Sequence, residues 1–176
     1  KEFPVNILVQ PSEGRCFADE EYLHAGIELA EDLRSCDVLM GVKEVPVDLL
    51  MPEKTYFFFS HTIKEQTYNR KLLQAVLAKN IHLIDYEVLT DEQGQRLIAF
   101  GKFAGMVGAH NALWTYAQRT GKFQLKRMKD CKDYAEAIDL YKNTPWPPIK
   151  IVLTGSGRVG IGAAVVLRDM GIREVD

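Results

Sequence analysis

Residues 148–163 read Pro-Ile-Lys-Ile-Val-Leu-Thr-Gly-Ser-Gly-Arg-Val-Gly-Ile-Gly-Ala, and no other stretch narrows the choice of fold as much. An apolar, β-branched run at 149–153 passes at once into G-x-G-x-x-G, whose glycines are Gly155, Gly157 and Gly160, and then into an apolar helix-forming run at 163–167. The glycine spacing alone is weakly informative. Strand, glycine turn and helix in immediate succession is the context in which a dinucleotide pyrophosphate is bound. Gly155 would allow the tight turn, Gly157 would let the backbone approach the pyrophosphate, and Gly160 would let helix and strand pack closely. The helix would start among Ser156, Arg158 and Val159 and offer its first N–H groups to phosphate. The competing reading is a tight turn that binds nothing. The acidic residue that selects the ribose falls about 20 residues on, near or beyond Glu174 and Asp176, so the sequence is neutral between NAD and NADP.

Upstream, short apolar runs alternate with helical segments. VNILV (5–9), VLMGV (38–42), KTYFFFS (54–60) and IHLIDY (81–86) read as strands. Between the last two, Tyr68, Leu72, Leu73, Val76 and Leu77 recur at helical spacing over 65–79, and Asn80 is a natural stop. Strand, helix, strand at this spacing is a βαβ unit. A short helix is expected to open at Asp19 as its cap, with Glu20 and Glu21 suited to the positive end, and to close at Gly26. A turn at 91–94 precedes RLIAF (96–100), read as a short strand. Over 102–119 a helix carries a small-residue side (Gly101, Ala104, Gly105, Gly108, Ala109, Ala112) and a bulky one (Phe103, Val107, Leu113, Trp114, Tyr116). Glycine inside a helix costs roughly 1 kcal/mol relative to alanine, so several of them point to close packing against another backbone. A further helix is expected at 133–141.

Asn143-Thr144-Pro145-Trp146-Pro147-Pro148 is a stiff break and the expected boundary. The fold expected is α/β: a parallel, doubly wound N-terminal substrate-binding domain over 1–143, then the start of a Rossmann dinucleotide-binding domain over 144–176. That second domain is incomplete, because one βα unit cannot cover both faces of a strand.

A net charge of -2 removes the electrostatic case for nucleic acid or an anionic membrane. No apolar run approaches the roughly 18–20 residues that span a bilayer. No signal peptide is recognisable, and Lys1 in place of Met implies removed N-terminal sequence. Cys16, Cys36 and Cys131 are spaced for neither a zinc site nor a redox pair, and no metal is expected. They read as structural thiols, Cys36 a buried one, in a reducing compartment, taken as the cytoplasm.

Three strand ends carry the candidate chemistry. Lys43, in GVKEVP, ends one apolar run, where open α/β sheets bind ligands. A lysine there can hold a carboxylate or act as an acid or base, the alternative being a solvated surface lysine. His61, in FSHTIKEQ, follows the next run and titrates near neutrality. Asp85-Tyr86-Glu87 ends a third, where paired acids can bind an ammonium group, tune a neighbouring lysine, or form a solvated turn. His24, His82 and His110 read as structural.

ILVQPS (7–12), GVKEVP (41–46), KTYFFFSHTIKEQ (54–66), IHLIDYE (81–87) and RLIAFGKFAGMVGAHNAL (96–113), in this order, resemble the alanine dehydrogenase/pyridine nucleotide transhydrogenase superfamily. Within it they are most similar to the saccharopine dehydrogenase (lysine-forming) and lysine–ketoglutarate reductase branch. The resemblance implies an NAD(P)-dependent amino-acid dehydrogenase with Lys43 and His61 as acid–base residues and Lys64 and Glu87 lining the substrate pocket. It also implies that Gly155, Ser156, Gly157, Arg158, Val159 and Gly160 hold the dinucleotide. The lysine of HTIKEQ favours the saccharopine branch over alanine dehydrogenase, which would act on pyruvate and ammonia. A dinucleotide-binding module without chemistry is the reading from another class. Expected partners are small molecules, an amino acid and a 2-oxo acid, with a homo-oligomer permitted and neither nucleic acid nor membrane. The chain starts after the family's first strand and Arg-x-x-L-T-P motif and stops early in the dinucleotide domain. The resemblance therefore implies that this stretch is inactive by itself.

Overall fold

The computed structural model describes residues 4–172, and the chain falls into two compact units, Lys1–Ile98 and Ala99–Asp176. The acidic position expected at 174–176 lies outside the described residues. In the first unit β1 (Leu8–Val9) leads through α1 (Asp19–His24) to β2 (Glu28–Leu29), which pairs parallel with β1. A three-stranded parallel sheet follows, ordered β3 (Val38–Lys43), β4 (Thr55–Phe59), β5 (His82–Asp85), with α2 (Arg70–Ala78) as the crossover from β4 to β5. This is the expected α/β class with parallel sheets.

Side chains alternate across a strand, and β4 shows why that fixes its position. Tyr56 and Phe58 go into a core with Leu50, Leu72 and Val76, the last two supplied by one face of α2. Burying such side chains contributes about 1.5–3 kcal/mol each. Phe57 and Phe59 take the other face and meet Tyr86 at ring distances of 6.2 and 5.2 Å. The chain leaves α2 through Asn80, whose φ of 50° is left-handed, a conformation asparagine tolerates better than most residues.

The second unit is built on α3 (Gly101–Thr120), α4 (Tyr134–Lys142) and α5 (Arg158–Asp169). Part of the small side of α3, at Gly101 and Gly105, has its explanation here. A Cβ at Gly105 would stand 1.9 Å from the Val159 carbonyl oxygen, and one at Gly162 would stand 1.9 Å from that of Lys102. The two helices therefore meet backbone to backbone. Met106, Leu113, Ala117, Tyr141, Val166 and Met170 form the surrounding core. His110 is fully buried within this unit. Its Nε2 lies 2.8 Å from the Lys126 carbonyl, which can only accept, so Nδ1 (2.6 Å away) accepts from the Tyr141 hydroxyl. Burial holds this imidazole below its ordinary 6.5, against the pull of the Lys126 carbonyl. The neutral ring is thus a satisfied structural group. Asp133 caps α4, accepting from the Glu136 N–H at 2.9 Å.

Several expectations are corrected. The N-cap of α1 is Ala18, whose N–H donates to Glu21 Oε2 at 2.8 Å; Asp19 is already helical and is engaged by Arg15. Residues 96–100 form no strand, only one antiparallel bridge from Arg96 to Thr90, because α3 starts too soon after the turn for a ladder to extend. Residues 149–153 also form no strand. A ladder needs a neighbouring strand, the described residues of the second unit hold none, and Val152 is left 79% exposed. Separately from these corrections, the compact units divide at 98/99, and the Pro-rich stretch at 143–148 lies within the second unit. The Pro-rich stretch there is anchored, since Trp146 packs 5.2 Å from Phe123 and 6.2 Å from Tyr141. All three cysteines are free, but Cys16 is exposed and Cys36 only half-buried. Among the described residues no helix is long and apolar enough to cross a membrane.

The helix crossing makes a signed prediction. Gly105→Ala forces a methyl onto the Val159 carbonyl and should destabilise the second unit by roughly 1–3 kcal/mol. Gly108→Ala, on the same helix with nothing within 4 Å, should stabilise it by about 1 kcal/mol. Thermal melts of the two variants should move in opposite directions; a shared direction contradicts the crossing.

Candidate active site

Because β3, β4 and β5 are adjacent and parallel, their C-terminal ends lie along one edge of the sheet, where open α/β sheets bind ligands. Lys43 is the last residue of β3 and is paired in register with Phe59. The chain leaves β4 through Ser60 to His61, and leaves β5 through Tyr86 to Glu87.

His61, Lys64 and Glu87 converge on one another. Glu87 has a side chain only 3% exposed, with Oε2 3.0 Å from His61 Nδ1 and Oε1 3.0 Å from Lys64 Nζ. Arg96 Nη2 stands 4.0 Å from Oε1. Burial raises the pKa of Glu87, but the hydrogen bonds and positive charges of Lys64 and His61 outweigh it and hold the carboxyl below its ordinary 4.5. The residue is therefore an ionised, enclosed anion. Lys64 Nζ also lies 2.9 Å from His61 Nδ1. That nitrogen has one hydrogen position and two partners: it donates to Glu87 or accepts from Lys64. In either state Nδ1 is occupied by the protein, leaving Nε2 for proton exchange.

His61 has a left-handed backbone, φ 56° and ψ 8°, a conformation that costs a non-glycine residue of order 1–3 kcal/mol. Its carbonyl accepts from Asn69 Nδ2 and from the Lys64 N–H, both at 3.1 Å. The imidazole stacks on Phe59, with centroids 6.4 Å apart and planes at 21°. Lys43 Nζ lies 5.7 Å from the centre of the same Phe59 ring, within cation–π range, and is otherwise solvent-facing. The phenyl ring thus relates the two residues expected to act as acid and base, which make no direct bond.

The expected substrate-lining pair is differently disposed. Glu87 is committed to protein partners, and half-exposed Lys64 remains the one of the two that faces solvent. Asp85, read with Glu87 as a paired acid, turns inward: it is buried and bonded to Ser60. Ser60, Asn69, Phe59 and Arg96 were not singled out from sequence. Only the position of Ser60 beside His61 at a strand end could have drawn attention to it. An open cleft of about 560 Å³ lies between α2 and β5, walled by Leu73, Val76, Ile81 and Leu83. Thr62, Ile63 and Asp85 also line it, so it adjoins the His61 turn, although His61 and Glu87 themselves are not among its walls.

In the second unit the glycine loop has the form of a phosphate cradle. Gly155 has φ 94°, which L residues rarely adopt. Gly157 is the N-cap of α5, and a Cβ at Gly160 would stand 2.0 Å from the Gly155 carbonyl. Residues 155–159, including Ser156, Arg158 and Val159, are exposed. The Ile161 N–H donates to the Gly157 carbonyl at 2.9 Å, so the N–H groups before it have no acceptor within the helix. These residues fit a dinucleotide pyrophosphate.

A carboxyl held below its ordinary value stabilises the fold above the unfolded pKa, and that contribution is lost as pH falls through the folded one. Thermal midpoints measured from about pH 6 to about pH 3 should therefore fall less steeply for Glu87→Gln than for the parent chain. Equal acid dependence of the two would contradict the ionised, enclosed Glu87.

Known proteins resemble this chain over most of its length. Residues 1–107 match the model of the alanine dehydrogenase/PNT, N-terminal domain. The chain is 35% identical over 188 residues to the mitochondrial alpha-aminoadipic semialdehyde synthase of Mus musculus, covering 97% of this chain and 20% of that protein. It is 41% identical over 113 residues to the alpha-aminoadipic semialdehyde synthase of Arabidopsis thaliana, covering 64% of this chain and 11% of that protein. To the saccharopine dehydrogenase (NAD(+), L-lysine-forming) of Emericella nidulans it is 30% identical over 187 residues, covering 97% of this chain and 50% of that protein. The chain thus spans from about a tenth to half the length of these relatives, and it belongs to the alanine dehydrogenase/PNT N-terminal domain family.

Proposed function

We propose that the full-length protein is a nicotinamide-dinucleotide-linked amino-acid dehydrogenase of the saccharopine, lysine-forming type. In the reductive direction lysine and 2-oxoglutarate lose water to form an imine, and hydride reduces its carbon to give saccharopine. The observation that carries this reading is the His61–Glu87–Lys64 cluster at the C-terminal edge of a parallel sheet. The names of relatives such as the fungal saccharopine dehydrogenase supply the substrate class.

Imine formation needs a proton delivered to a departing oxygen, and the reverse needs a water deprotonated. His61 and Lys43 form the acid–base pair for these steps. Nδ1 of His61 is tied to the Glu87–Lys64 side, so Nε2 is the nitrogen that exchanges the proton. Lys64, half-exposed and anchored to Glu87, presents positive charge to a substrate carboxylate. The dinucleotide, when bound, accepts or donates the hydride. The loop Gly155, Ser156, Gly157, Arg158, Val159 and Gly160 holds its pyrophosphate. Three free thiols support a reducing compartment.

Full-length protein should oxidise NADH or NADPH with lysine plus 2-oxoglutarate, and His61→Gln should lower kcat roughly a hundredfold or more. Turnover only with pyruvate plus ammonium would move the assignment to alanine dehydrogenase. An unchanged kcat in the variant would remove His61 from the acid–base role.

A further inference from the structure

The acid–base reading above leaves one buried carboxylate unused. Asp85 is 8% exposed and its two oxygens go to different chain segments. Ser60 Oγ donates to Oδ2 at 2.5 Å, and the Glu87 N–H donates to Oδ1 at 2.8 Å. Ser60 itself is fully buried and immediately precedes His61. Its hydroxyl also accepts from the Thr62 N–H at 3.1 Å and lies 2.7 Å from Thr62 Oγ1. One carboxylate therefore grips the residue before His61 and the backbone of Glu87 itself.

We propose that Asp85 is a positioning residue for the acid–base site: through Ser60 and the Glu87 N–H it clamps the left-handed His61 turn and the Glu87 turn together. The inference rests on the dehydrogenase reading only for its kinetic consequence. Its physical basis is independent. The strained His61 backbone persists only where its surroundings over-determine it, and Asp85 adds to the His61–Glu87 and Lys64–Glu87 contacts a buried link from that turn to β5. The side-chain contact of 3.0 Å between His61 and Glu87 needs both turns fixed, because misplacing a reacting group by about 1 Å can lower a rate on the order of a hundredfold. An amide at position 85 can still accept from the Glu87 N–H and direct its NH₂ to Ser60 Oγ, so Asn should retain most of the clamp that Ala removes.

The test uses the full-length protein with Asp85→Ala, Asp85→Asn and Ser60→Ala, read two ways. Turnover with lysine and 2-oxoglutarate should show kcat reduced on the order of tenfold to a hundredfold in Asp85→Ala. KM should move little, Ser60→Ala should show a smaller loss, and Asp85→Asn should stand near the parent. Carbethoxylation by diethyl pyrocarbonate, followed residue by residue by mass spectrometry, should show His61 several-fold more reactive in Asp85→Ala while buried His110 stays protected. Parent-like kcat and parent-like His61 reactivity in Asp85→Ala would overturn the proposal. So would loss of His110 protection together with equal loss of activity in the Ala and Asn variants, which is the mark of a merely structural residue. If the parent protein shows no turnover with lysine plus 2-oxoglutarate, that substrate assignment fails, and the His61 reactivities still decide the role of Asp85.

Discussion

A carboxylate enclosed by protein must be neutralised where it sits, and Glu87 meets that demand with Lys64 and His61. Removing a charge from water costs several kcal/mol, which opposite charges and hydrogen bonds offset only when their geometry is good. That requirement reaches back along two strands and a turn. β5 must deliver Glu87, β4 must release His61 beside it, and the short turn after His61 must bring Lys64 round three residues later. The left-handed conformation of His61 is the local cost of that turn, borne by hydrogen bonds from Asn69 and the Lys64 backbone and by the packing of Phe59.

The parallel sheet makes this convergence economical in chain length. With β3, β4 and β5 side by side and parallel, the residues that follow each strand emerge at one edge without further folding. The aromatic face of β4 adds a floor, with Phe59 shared between the Lys43 ammonium, the His61 ring and Tyr86. Core burial on the opposite face, through Tyr56 and Phe58 against α2, holds β4 in register and so fixes where His61 leaves it. The second unit follows a different rule. Its glycines bring α3 and α5 into backbone contact, and the glycine loop opens at the start of α5.

Much of this was legible in the residues. Alternating and continuous apolar runs located β3, β4 and β5, and helical spacing located α2 and α3, because burial periodicity is written directly in side-chain polarity. His61 and Glu87 stood out because titratable residues at strand ends are unusual in kind and place. The bond between Ser60 and Asp85 was not legible. Ser60 and Asp85 are 25 residues apart, and only the parallel register brings them together. Nothing local distinguishes a serine that clamps a turn from one that is solvated. The helical stop at Asn80 was readable, but the left-handed state of His61 was not, since histidine's raised tendency toward that region does not mark which histidine adopts it. The runs at 96–100 and 149–153 have strand-like composition, yet composition cannot supply the neighbouring edge that a ladder requires.

If Lys64 helps to hold Glu87 ionised, the two must be energetically coupled and not merely near each other. A double-mutant cycle with Glu87→Gln and Lys64→Met, read from denaturant unfolding of the unit that holds them, measures this directly. A coupling of about 1 kcal/mol is expected, modest because Lys64 is half-exposed and solvent screens the pair. Additive single and double variants, with no coupling, would contradict the account.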